Sequence, residues 1–215
     1  IGTGLFCLAK AFNDSGFAID CFDIRDFQTN AGTLNQLISA VKEFCKSDGF
    51  RYLHVSLPSS FGLKSDHGTR RNGLRARHFC CDKTLAAVIT CVELAVCGNR
   101  IVSIESPSGS DVWTDPRISR LLRRTSSDGE SCVQTRVDFC QYGSRIKRAT
   151  MVASWNCPSL WGNSAKCTGC FKDCSKTGER HTYVAGSQSG RLREFWSYPE
   201  RLCHMIVDNV RDAIG

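Results

Sequence analysis

Several groups of residues have types and spacings that could do chemistry. Gly2 and Gly4 flank Thr3 ahead of an apolar run. A Gly-x-Gly at a helix start lets backbone approach a ligand and leaves N–H groups pointed at it. Asp23 and Asp26 follow the apolar residues 17–22, where acids at a strand end can take ribose hydroxyls, so these residues together read as nucleotide-cofactor binding. A capping Gly-Thr-Gly with surface aspartates is the plain alternative. Residues 52–57 run into Pro58-Ser59-Ser60-Phe61-Gly62, and Ile104-Glu105 runs into Ser106-Pro107. Both polar turns follow strand-like runs, and ligands in open α/β sheets sit outside the carboxyl ends of strands. Cys167, Cys170 and Cys174, followed by His181, offer four ligands for zinc, because a Cys-x-x-Cys bite and a distant His suit tetrahedral N/S coordination. Unligated thiols in a variable loop are the competing reading.

The elements that must position these residues show in the apolar periodicity. Residues 5–12 have helical spacing and stop at Asn13-Asp14-Ser15-Gly16; residues 17–22 read as a short strand. Leu34, Leu37, Ile38, Val41, Phe44 and Cys45 mark a helix, and residues 52–57 a buried strand, which is βαβ rhythm. A polar, basic loop is expected over residues 58–77, then an apolar helix over 84–97 and a strand over 100–104. Residues 118–124 read as helix, 133–139 and 149–153 as strands flanking a basic turn, and 199–213 as a terminal helix. The expected fold is α/β: a Rossmann-like, mostly parallel, doubly wound sheet with helices on both faces. Residues 1–155 would form this domain, and residues 156–215 a Cys-rich loop and helix packed on it.

With 215 residues, 41% of them hydrophobic, the chain can bury a real core. Its 28 Lys and Arg exceed 21 Asp and Glu, and they cluster: Arg70, Arg71, Arg75 and Arg77; Arg117, Arg120, Arg123 and Arg124; Arg145, Lys147 and Arg148. Such clusters are the electrostatic footprint of a phosphate backbone, and Arg70, Arg71, Arg145, Lys147 and Arg148 are the expected contacts to nucleic acid, DNA in the first instance. A charged surface serving solubility alone is the alternative. Many of the 14 cysteines lie inside apolar runs, so Cys7, Cys21, Cys45, Cys91 and Cys97 read as small core residues rather than a disulfide framework. His54, within an apolar strand, reads as a satisfied core histidine. No run of about 18 apolar residues predicts a membrane span, and no signal peptide is evident. An intracellular protein is expected. Because the chain opens at Ile1 without an initiator Met, it reads as part of a longer chain.

In order, these pieces resemble the DNA cytosine-5 methyltransferases, particularly the compact versions of phages and mobile-element polyproteins. Ile1-Gly2-Thr3-Gly4 looks like the family's Phe-x-Gly-x-Gly loop with its preceding strand cut off. The stretch from Leu53 through Pro58-Ser59-Ser60-Phe61 is similar to its Pro-Pro-Cys loop, and Ile104-Glu105-Ser106-Pro107 to its Glu-Asn-Pro motif, with Ser110 and Trp113 following. The run from Asp138-Phe139-Cys140-Gln141-Tyr142-Gly143 to Thr150 resembles a Cys-x-Tyr-Gly, basic, Thr stretch, and Tyr198-Pro199 with Leu202-Cys203 a recurrent ending. The resemblance spans nearly the whole chain. It implies a class I methyltransferase fold and S-adenosylmethionine bound near Gly2, Gly4, Asp23, Asp26 and Pro58. It further implies a mechanism in which a thiolate adds to cytosine C6 while Glu105 hydrogen-bonds N3 of a base swung out of the duplex. Where the family has its nucleophilic cysteine this chain has Ser59, or Pro58 in the alternative register, and Ser106 replaces the motif's Asn. A serine hydroxyl without a base beside it is a poor nucleophile at neutral pH. Hence two functions are expected from this ancestry: a methyltransferase with degenerate or altered chemistry, or an inactive module that binds nucleic acid or assembles a larger polyprotein.

Overall fold

The computed structural model describes residues 3–21, 31–57, 72–125, 129, 131–162, 165–169, 173–182 and 197–215. Helix α1 (Thr3–Asp14) ends in a Schellman arrangement: Gly16 N–H donates to Asn13 O (3.0 Å) and Phe17 N–H to Phe12 O (3.1 Å). Gly16 has φ +86°, a conformation that Cβ-bearing residues rarely adopt. This turn folds Phe17 back onto Phe12, their rings edge-on at 5.3 Å. The strand expected over residues 17–22 does not form over 17–21. Residues 18–21 are exposed and pair with no described strand, so apolar alternation there has no sheet to join.

Helix α2 (Ala31–Lys46), strand β1 (Tyr52–Ser56), helix α3 (Asn72–Cys97) and strand β2 (Ile101–Pro107) follow. Helix α3 starts earlier than the sequence suggests and takes in residues 72–77 of the expected loop. Leu74, Arg75, Ala76 and Arg77 are good helix formers, which outweighs their polar appearance. Helix α4 (Pro116–Leu122) is capped by Asp115, whose carboxylate accepts from Arg117 N–H, with Pro116 at the first helical position. Strands β3 (Val133–Asp138) and β4 (Ala149–Trp155) and helix α5 (Glu200–Ile214) complete the described elements.

The four strands form one sheet in the order β1-β2-β4-β3. Strands β1 and β2 are parallel, from Tyr52 opposite Ile101 to Ser56 opposite Glu105. Strands β3 and β4 are neighbours joined by only residues 139–148, where Phe139 N–H meets Arg148 O at 3.0 Å. A connection this short returns the chain antiparallel, since a parallel partner needs a crossover of a dozen or more residues. The sheet is therefore mixed, and the mostly parallel sheet expected from the sequence is not borne out.

By compactness the chain divides into residues 1–22, 134–152 and 159–215 on one side and residues 23–133 and 153–158 on the other. The core of the second unit gathers Leu85, Val88 and Val92 of α3, Val102 and Ile104 of β2, and Ile118 and Leu121 of α4. In the first, α5 turns Leu202, Cys203, Ile206, Val207 and Val210 inward along one stripe and packs against α1, where Leu8, Ala11 and Phe12 are buried. The described cysteines are free thiols, yet Cys21 and Cys97 are exposed and Cys7 and Cys45 only half-buried; of the five read as core residues, Cys91 alone is buried. No described helix is long and apolar enough to cross a membrane.

Candidate functional site

Two polar groupings stand out, one in each unit. The first lies at the carboxyl ends of β1 and β2. Their register sets Ser56 beside Glu105, and Ser56 Oγ donates to Glu105 Oε2 at 2.6 Å. Glu105 is fully buried. The backbone pairing continues past the strand end: Leu57 N–H donates to Glu105 O (2.8 Å), and Ser106 Oγ to Leu57 O (3.0 Å). The chain then turns at Pro107, with Ser110 N–H donating to its carbonyl (2.9 Å) and Trp113 Nε1–H to the same oxygen (3.1 Å). A carboxyl group so held at a strand end could accept or share a proton with a ligand admitted there, but its burial requires that something move first.

Two residues back along each strand, His54 Nδ1 lies 2.8 Å from Ser103 Oγ and 3.3 Å from the Tyr52 hydroxyl. Desolvation pushes its pKa from an ordinary 6.5 down to about 3, so the ring is neutral, but His54 is half-buried and not one of the fully buried core residues.

The second grouping lies beyond β3. Cys140, Cys167, Cys174 and His181 offer one ligand atom each, and these atoms all lie within 4.8 Å of one another. Local structure brings them there in three ways. Asp138, fully buried at the end of β3, accepts from Cys167 N–H at 2.8 Å and so anchors the incoming segment. Cys140 sits in the 3-10 turn Phe139–Tyr142, which closes on Gly143 at φ +99°. Cys174 and His181 sit at the two ends of a tight hairpin in which Asp173 bridges Arg180 and Cys174 N–H donates to Glu179 O at 2.8 Å.

Donors surround the sulfurs. Gln141 Nε2 lies 3.7 Å from Cys140 Sγ and 3.6 Å from Cys174 Sγ; Ser175 N–H and Oγ lie 3.5 and 3.6 Å from Cys167 Sγ. Burial pushes the Cys140 thiol up to about 12, and the adjacent Cys167 adds to the effect. At Cys167 burial acts in the same direction, but the Ser175 N–H and hydroxyl, the Gly169 N–H and the Cys140 thiol outweigh it and bring the pKa down to about 6. The four side chains are a cluster that could hold a metal ion.

Of the residues expected at a site, Gly2, Asp23, Asp26, Pro58, Ser59, Arg70, Arg71 and Cys170 lie outside the described residues. Gly4 lies in the first turn of α1. Cys167, Cys174 and His181 come together as their spacing suggests, and among the described residues the fourth member is Cys140. Sequence reading missed it as a ligand because it precedes the others across a whole strand; its only signal was a place in the Cys-x-Tyr-Gly stretch. In the β3–β4 connection Arg145 is exposed, whereas Arg148 is buried with its guanidinium 4.8 Å over the Phe139 ring. Lys147 Nζ donates to Cys167 O (3.4 Å) and Gly169 O (2.9 Å). No family model, no curated protein and no solved structure matches the chain.

Proposed function

We propose that this chain is an S-adenosylmethionine-dependent DNA cytosine-5 methyltransferase-like domain. The observation that carries the reading is Glu105, placed at the carboxyl end of β2, beside the end of parallel β1 and directly before the Ser106-Pro107 turn. In open α/β sheets such strand ends face the ligand crevice. The order of motifs along the chain supports the same ancestry, with Gly4 opening α1 and Ser110 and Trp113 bracing the turn after Pro107. In this role Glu105 bonds N3 of an everted cytosine, while Gly2, Gly4, Asp23, Asp26 and Pro58 serve S-adenosylmethionine.

The test is transfer of tritiated methyl groups from S-adenosylmethionine to DNA. Transfer by the wild-type protein and at least about a hundredfold loss in Glu105→Ala are expected, the scale of a positioned acid–base group. No transfer by a folded protein that binds the cofactor would sink the catalytic reading.

A second reading, a methyltransferase-derived nucleic-acid-binding or assembly module without catalysis, is favoured by the state of Glu105 itself. The carboxylate is fully buried and already engaged by Ser56, as a structural pair would be. Ser59 in place of the family's cysteine points the same way. In that case DNA binding persists without methyl transfer and weakens steeply with salt.

A further inference from the structure

We propose that Cys140, Cys167, Cys174 and His181 bind one zinc ion, which clasps the β3–β4 connection to the segment carrying residues 165–182. The site does not depend on Glu105 or on the residues assigned to S-adenosylmethionine, although Cys140 and Lys147 lie in the Cys-x-Tyr-Gly, basic stretch.

Geometry is the first support. Tetrahedral zinc, with about 2.3 Å to sulfur and about 2.0 Å to nitrogen, spaces its ligand atoms about 3.5–3.8 Å apart. Cys167 Sγ and His181 Nε2 already lie 3.7 Å apart, and the widest separation in the cluster is within 4.8 Å. Closing onto an ion thus takes movements of about 1 Å or less.

The second support is chemical. Cys140, Cys167, Cys174 and His181 are all at most 9% exposed. The only side-chain contact of the buried His181 ring among the described residues is Nε2 with the Cys167 sulfur, so the imidazole is turned toward the sulfurs without a protein hydrogen bond at Nδ1 to place it. Three sulfurs and an imidazole make a soft donor set that suits zinc, and four protein ligands close the coordination sphere, which is the arrangement of structural rather than catalytic sites.

The outer shell fits thiolates better than thiols. Gln141 Nε2 reaches two of the sulfurs, and Ser175 donates its N–H and hydroxyl to the third. Three thiolates on a divalent ion leave one negative charge, and the Lys147 ammonium, held on the carbonyls of Cys167 and Gly169, stands beside it. Gly169 is demanded by the same loop: a Cβ there would collide with the Asp173 carbonyl. A cleft of about 380 Å³, lined by Cys140, Cys174 and His181 together with Arg145 and Arg180, gives an ion a way in.

The experiment measures metal in the purified chain after dialysis against metal-free, reducing buffer, and then the absorption of the chain reloaded with cobalt(II). About one zinc per chain is expected. Cys140→Ser and His181→Ala should each lower retained zinc at least about tenfold, and Cys170→Ser should leave it unchanged. Since ligand variants can fail to fold, the cobalt spectrum of the wild-type chain decides independently: tetrahedral bands and sulfur-to-metal charge transfer for three thiolates support the site. Folded wild-type protein without zinc, a disulfide among the three thiols in its place, retention by Cys140→Ser with loss in Cys170→Ser, or a cobalt spectrum of two or four thiolates would each overturn it.

Discussion

At the ends of β1 and β2 the polar side chains find protein partners: Ser56 donates to Glu105, Ser106 to the Leu57 carbonyl, and His54 shares its contacts with Ser103 and Tyr52. Beyond β3 the converging groups are three sulfurs and an imidazole, which satisfy each other poorly and gather N–H donors from outside. The first grouping is held by the parallel register of two strands and by the apolar core of α3, β2 and α4. The second lies in turns and irregular chain, where Asp138 and the hairpin bridged by Asp173 and Arg180 do the positioning. A buried polar group set by a sheet can persist without any ligand, because the ladder fixes it. Soft donors gathered on loops lack that enforcement, and an ion is the physical agent that would supply it.

Chelation should break this contrast most visibly. Structural zinc supplies on the order of 10 kcal/mol in small metal-dependent folds, so stripping it should abolish amide-exchange protection in residues 139–148 and 173–182 while β1 and β2 keep theirs. Equal loss in both regions, or in neither, would erase the difference. A cavity in the other unit sharpens it from the opposite side. Ile104 is fully buried among Leu85, Val92, Val112 and Ile118, so Ile104→Ala should cost about 2–5 kcal/mol in denaturant unfolding without altering retained zinc.

The smallest effect, taken per pH unit, concerns protonation. His54 is neutral in the fold and protonates near 6.5 when unfolded, so its contribution to stability is complete above about 6.5 and declines as pH falls toward 3. The slope from this group is at most about 1.4 kcal/mol per pH unit. Urea midpoints between these limits should fall more gently in His54→Gln than in wild type; identical slopes would show that the ring does not carry the effect.

How legible each part was follows from how local its determinants are. The helix over residues 34–45 and the terminal helix were readable because each buries one periodic stripe, as Leu202, Ile206 and Val210 do on α5, and strand β2 because it is a short run buried on both faces. Residues 17–21 carry a strand-like pattern but pair with no described strand, and pairing is not written in a single segment. Arg148 reads as surface charge, yet it is buried over Phe139, and Lys147 binds carbonyls instead of facing open solvent. A long cationic stem can cover apolar surface wherever the neighbouring loop allows it.

By itself, then, the sequence determined the α/β composition, most of the helices and strands, Glu105 at a strand end, and three of the four members of the sulfur–imidazole cluster. Only the tertiary structure decided that the sheet is mixed and that the cluster is completed by Cys140. Periodicity and turn chemistry act over a few residues and can be read from their order. Strand direction and ligand sets depend on which distant segments the chain brings within a few ångströms, and here that was decided by the short return from β3 to β4 and by Asp138 holding Cys167 beside it.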